Sequence, residues 1–236
     1  MKILTFDTST EFMYVGLSDD EKIISERMVE STKERYNSAL LIPTIVELLN
    51  QNQYSMKDIE AIGVNIGPGS FTGIRASATV ARILGQHLNI PVVGISSLEV
   101  ISRANISDRD SLCLLDARRD KAYMAIYSNT GEIKQPPCAV SYDNAVNMAR
   151  EGQFFILADN KMFSLISEGS YAHVDHRLSN VTTMLAENLI QKSFFGKSLI
   201  KLTSYYLKGN NTKKWLWYDL KPLYIQPPAI TSVKKV

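Results

Sequence analysis

The residues with types and spacing suited to chemistry fall into a few short runs. Gly67-Pro68-Gly69-Ser70-Phe71-Thr72-Gly73-Ile74-Arg75 follows an apolar run from Ala61 to Ile66 and opens a helical segment from Thr72 to Leu88. Glycines permit positive φ and close backbone approach, Pro68 fixes one φ, and Ser70 or Thr72 can cap the helix. Such a strand–glycine turn–helix corner can cradle an anion, because unpaired amides and the helix dipole both favour negative charge. Its spacing matches neither the Walker pattern nor the dinucleotide fingerprint, and no Lys-Ser or Lys-Thr follows Gly73. Asp7-Thr8-Ser9-Thr10 closes the first strand with an aspartate that can cap its own turn. Asp7, Thr8, Gly67, Gly69 and Ser70 are the candidate anion contacts. His173 and His176 flank Asp175, but no fourth ligand completes a metal set, and surface imidazoles are the simpler reading. Lys213-Lys214-Trp215-Leu216-Trp217-Tyr218 sets cations beside aromatics, as in RNA contacts, or as an amphipathic cluster docked on a sheet. Ser70 has no histidine near it in sequence to support a hydrolase.

The elements that must hold these groups follow from pattern. Lys2–Asp7, Phe12–Ser18 and Lys22–Val29 read as three strands joined by short turns. From Glu34 to Gln51, Leu41, Ile45, Leu48 and Leu49 form one helical stripe, with Pro43 inside it. Ala61–Ile66 and Asn89–Ile95 are further strands, the second feeding a helix from Ser97 to about Ala104. The Thr72–Leu88 helix carries apolar and small residues on more than one face, enough for a sheet and a partner helix, or for burial within its own fold. Arg75 and Arg82 share a face. Asn105–Ser111 is a polar link, giving lobes at 1–105 and 106–236. The second half restarts with strands Ser111–Asp116 and Ala122–Tyr127, then helix Tyr142–Arg150, strand Phe154–Ala158 and helix Val181–Gln191.

Composition narrows the class. With 236 residues and a net charge of +2, the chain can bury a substantial core and has no basic stripe that demands nucleic acid. Cys113 and Cys138 have no zinc-like spacing and suit a reducing compartment. No leader pattern opens the chain, and no apolar run approaches the ~20 residues of a membrane span. A cytoplasmic protein is expected.

The glycine corner, in a chain that begins Ile3-Leu4-Thr5-Phe6-Asp7-Thr8-Ser9-Thr10, resembles the TsaB (YeaZ) family of the bacterial machinery that makes threonylcarbamoyladenosine on tRNA. The resemblance covers the first half of the chain and, weakly, the tail. It implies an α/β fold of the actin-like ATPase superfamily, with two ribonuclease-H-like lobes, the second reduced. It also implies a non-catalytic scaffold for transfer to the adenosine next to the anticodon, adenosine 37, of ANN-decoding tRNAs. A TsaD-type catalytic subunit and the TsaE ATPase would be its partners, and tRNA would be met through the complex. No cofactor would be tightly bound here; ATP and a divalent metal would sit on the partners. The helices of Glu34–Gln51 and Thr72–Leu88 would dock the partner through Asn37, Leu40, Leu41, Thr44, Arg75, Thr79, Arg82 and Ile83, and would pair two copies when the chain is alone.

Departures from the family pattern matter as much. Asn37 stands where relatives carry a histidine, and Gln226 where they carry an arginine. Ser97 and Ile101 replace the metal-holding histidine pair of TsaD relatives, and Ala117-Arg118 fills the turn where the superfamily's ATPases carry glycines. An ATPase or kinase of the same fold is the alternative, resting on the corner and on Asp7-Thr8-Ser9-Thr10, whose resemblance to the superfamily's first phosphate-binding hairpin implies a residual nucleotide contact.

Overall fold

The structure, a computed structural model, describes residues 1–10, 12–30, 37–168, 184–185, 194–209 and 215–226. Strands β1 (Lys2–Asp7), β2 (Phe12–Asp19) and β3 (Lys22–Glu30) form an antiparallel meander, followed by helix α1 (Asn37–Gln51). Strand β4 (Ala61–Gly67), helix α2 (Phe71–Leu88), strand β5 (Val92–Ser96) and helix α3 (Ser97–Ser102) complete the first half. The sheet order is β3-β2-β1-β4-β5, with β4 parallel to both β1 and β5. Central β1 and β4 are covered on both faces, which is why they read as nearly unbroken apolar runs.

The second half repeats this plan. Strands β6 (Ser111–Asp116), β7 (Lys121–Tyr127) and β8 (Ile133–Ser141) form the meander, followed by helix α4 (Tyr142–Glu151) and strand β9 (Phe155–Ala158). Helix α5 (Asn160–Glu168) and strand β10 (Met184–Leu185) follow, then helix α6 (Phe194–Lys208). Reading from β8, the order β8-β7-β6-β9-β10 reproduces the first sheet strand for strand. This is the duplicated ribonuclease-H-like lobe of the actin-like ATPase superfamily. The second copy is reduced: α4 and α5 have 10 and 9 residues against 15 and 18 in α1 and α2, and β10 has two.

Several expectations need correction. Met184 and Leu185 lie in strand β10, parallel to β9, and not in a helix; the rest of Val181–Gln191 lies outside the described residues. Strand β8 goes unread in the sequence because Pro136 and Pro137 interrupt it, and it tolerates them as the edge of its sheet. Helices α5 and α6 were not expected. His173, Asp175, His176, Lys213 and Lys214 lie outside the described residues.

One face of the first sheet presents Leu4, Phe6, Val15 and Val64 to α1 and α2, which bury Leu41, Ile45, Leu48, Ala78 and Ala81 against it. The opposite face, with Tyr14, Val93 and Ile95, is covered by Phe195, Leu199 and Leu202 of α6. Gly63 leaves the notch that admits the Thr203 side chain of α6. Helix α3 packs on α6 and places Leu98 and Ile101 against Cys113, Tyr127 and Leu157 of the second sheet. The pair α3 and α6 thus joins the two sheets, leaving a cleft at the carboxyl ends of β1 and β4.

Candidate functional site

The corner after β4 is built around Asn65, a buried amide inside an otherwise apolar strand. Its Oδ1 accepts from Gly67 N at 2.8 Å and Ser97 Oγ at 2.9 Å, and its Nδ2 donates to Ser9 Oγ at 3.0 Å. Gly67 takes φ +98°, a backbone only glycine adopts at little cost. Ser70 caps α2, its Oγ accepting from Gly73 N, while its own amide donates to the Ser9 carbonyl at 2.8 Å. Thr8 Oγ1 donates to the Gly73 carbonyl at 2.6 Å.

The glycines here serve the chain itself. A Cβ on Gly69 would stand 2.7 Å from the Ser9 carbonyl oxygen, and one on Gly73 would land on the carbonyl of Thr8. The close approach that the spacing announces is made by residues 8 and 9. Asp7 is buried, and its Oδ1 accepts from Ser9 N at 2.7 Å, the self-capping turn. Burial pushes its carboxyl up to about 6, against hydrogen bonds from Ser9, Asn65 and Thr8 that pull it down. At this corner the amides of Gly67, Ser70 and Gly73 already donate within the chain, and the Asp7 carboxylate is buried.

The cleft itself measures about 890 Å³. Ser9, Gly69, Ser70 and Phe71 line one wall; Asp116, Arg118, Arg119 and Tyr123 line the other, and residues 223–226 form an edge. Of the five anion candidates, Gly69 and Ser70 face this space, whereas Asp7, Thr8 and Gly67 do not line it. Asp116 Oδ1 accepts from Arg118 N at 2.6 Å and from the Tyr142 hydroxyl at 2.7 Å. Asp159 accepts from Asp116 N and Met162 N, and burial raises its carboxyl above the ordinary range. Arg118, Arg119 and Asp120 all take left-handed backbone, φ 60°, 53° and 57°, at the β6–β7 turn. The turn keeps a glycine-like shape with arginines in it. Both guanidiniums are exposed and make no ion pair among the described residues. At the edge, the Tyr224 ring lies 5.3 Å from that of Phe71, over which Arg75 Cζ sits at 5.2 Å.

The family model described as TsaD, tRNA N6-adenosine threonylcarbamoyltransferase, matches residues 24–215. The chain belongs to this family. Several of its curated relatives are named TsaB. The TsaB protein of Bacillus subtilis, a tRNA threonylcarbamoyladenosine biosynthesis protein, is 35% identical over 129 residues, 54% of this chain and 55% of that protein. The TsaB of Haemophilus influenzae is 25% identical over 92% of this chain and 97% of its own length. The chain spans about half the length of the first curated relatives it matches, 55% to 58%. YeaZ from Pseudomonas aeruginosa superposes with a TM-score of 0.69 at 19% identity, covering 94% of this chain and 99% of that one.

The predicted docking residues divide. Leu41 is wholly buried and Thr44 nearly so, both turned into the chain's own fold, and Leu40 packs partly against the same core. As surface contacts Leu41 and Thr44 are withdrawn: Leu41 belongs to the stripe that faces the core, and Thr44, expected to point away from that stripe, is buried beside it. Arg75, Thr79 and Ile83 are exposed and Arg82 is half-buried. Among the described residues, the large apolar side chains exposed on α1 are Ile42 and Val46, one turn apart, which sequence reasoning missed although their spacing marks a second stripe. Helix α1 packs on α2, whose Ile83 is 59% exposed.

Proposed function

We propose that this chain is the non-catalytic scaffold of a tRNA threonylcarbamoylation complex. In this reading it pairs with a TsaD-type catalytic subunit and works with a TsaE-type ATPase. The product is the modified adenosine 37 of ANN-decoding tRNAs. ATP and a divalent metal act on the partners, and no cofactor is held tightly by this chain. The observation that carries the reading is the pairing of the family match with an apolar surface on two adjacent helices: Ile42 and Val46 of α1 and Ile83 of α2. Isolated, the chain would pair with a second copy through the same surface. Ser97, bonded to Asn65, and Ile101, packed in the core, offer no metal-ligand pair, which supports placing transfer on the partner.

The test is a reconstituted modification mixture with purified partners and unmodified tRNA. Leaving this chain out should abolish the modified nucleoside, and adding it back should restore it. Transfer by the chain alone would overturn the reading. The alternative, a nucleotide-binding ATPase or kinase of the same fold, has two cleft-lining residues, Gly69 and Ser70, in its favour. Calorimetry with ATP and magnesium separates the two: micromolar binding by the isolated chain would favour the alternative.

A further inference from the structure

We propose that the mouth of the cleft is a single-stranded RNA contact belonging to this chain itself, with Arg118 and Arg119 on phosphate and Tyr224, backed by Phe71, as the base-stacking face. This rests on the tRNA-modification reading above and adds to it a site on a subunit otherwise expected to meet RNA only through its complex.

Three observations favour an RNA strand over a compact nucleotide. The deep end is closed to phosphates, since residues 8 and 9 fill the glycine corner and the Asp116 and Asp159 carboxylates line the second wall. The cations sit instead on an exposed turn, with no ion pair among the described residues. The rings are also at the surface: Phe71 is 42% and Tyr224 47% exposed, with their centroids 5.3 Å apart. Arginines that neutralise a backbone beside rings that take a base face are the two parts of single-strand recognition. Arg75 over the Phe71 ring adds a third cation on the same edge.

The backbone supplies a clean control. Arg118 and Arg119 both have φ in the left-handed region, so Arg118→Gly with Arg119→Gly removes both charges while easing the turn. Its thermal unfolding should match that of wild type, which separates loss of binding from misfolding. The measurement is fluorescence anisotropy of the full chain with a short labelled single-stranded oligoribonucleotide, titrated at several salt concentrations. The double glycine variant should lose about 10-fold or more in affinity, and its slope of log affinity against log salt should flatten by about 1.4. Tyr224→Ala should lose on the order of 10-fold with its salt slope unchanged. ATP with magnesium, inorganic phosphate and the same RNA paired into a duplex should compete poorly. Equal binding by wild type and both variants, no binding at all, or ATP competing as well as the single strand would each overturn the proposal. The modification mixture keeps the two readings apart. If the modified nucleoside depends on this chain while the strand does not bind it, only the RNA contact falls; if it does not depend on the chain, the scaffold reading falls regardless.

Discussion

At Asp7, burial and hydrogen bonding pull one carboxyl in opposite directions, and burial prevails. Its pKa of about 6 lies above the ordinary 3.8. Between those values the folded chain holds a proton that the unfolded chain has released, so stability is fullest below pH 4 and declines as pH rises through 6. The gap corresponds to about 3 kcal/mol. Asp7→Asn cannot ionise and can still accept from Ser9 N. Its stability relative to wild type should therefore rise by about 2–3 kcal/mol between pH 4 and pH 7 and then level off. Urea unfolding of both proteins across that range checks this, and a pH-independent difference would refute the burial argument. The neighbouring glycines give a second, steric prediction. Gly73→Ala sets a carbon against the Thr8 backbone, which has no rotamer to move, and should cost about 3 kcal/mol or more. Gly69→Ala, 2.7 Å from the Ser9 carbonyl, should cost about 1–3 kcal/mol in the same assay. The corner was legible as a shape because glycine spacing reports close approach. What approaches was not, since residues 8 and 9 reach it only through the β1–β4 pairing, more than fifty positions away.

The helices were easier to find than to orient. A stripe of Leu41, Ile45, Leu48 and Leu49 is enough to place α1, and all four are core residues. Assigning Leu41 to a partner asked one stripe to serve two surfaces, and Thr44, expected to point away from that stripe, is buried beside it. The free surface lies one residue round, at Ile42 and Val46. A contrast in variants follows. Ile42→Asp and Ile83→Asp should alter monomer stability by about 0.5 kcal/mol or less, because their side chains are mostly in water. The same changes should weaken self-association and partner capture, as a charge at the centre of an apolar contact must be desolvated unpaired. Leu41→Asp should instead unfold the chain. Thermal unfolding and analytical ultracentrifugation read the two effects separately; normal association by Ile42→Asp and Ile83→Asp would remove this face from the interface. The cleft's far wall and edge were least legible. Tyr123, Asp159 and Tyr224 come from β7, the cap of α5 and the tail, and no spacing rule joins them. Only the topology does.

For the whole molecule, the repeated sheet suggests two independent lobes cut at the polar link, and the strands divide there cleanly. The packing does not. Helix α6 comes from the second half of the chain yet covers the first sheet, with Leu199, Leu202 and Phe195 against Tyr14, Val93 and Ile95. Trp217 and Leu220 join the opposite face beside α2, and Val92 N donates to the Trp215 carbonyl at 2.9 Å. The aromatic cluster before the tail is thus, in its described residues, a docking segment for the first sheet. Without α6 a sheet face of large apolar residues opens to water, at roughly 25 cal/mol for each Å² exposed. A net stability of about 5–15 kcal/mol does not survive the loss of a whole helix layer. A fragment ending at Asp110 should therefore lack a cooperative thermal transition and bind a hydrophobic dye, although it contains every strand of its sheet. Supplying residues 111–236 as a second polypeptide should restore the transition, because what is missing is cover and not sequence within the lobe. A fragment that unfolds cooperatively alone, at the temperature of the full chain, would show that the first lobe closes its own core and that α6 adds only a link between the sheets.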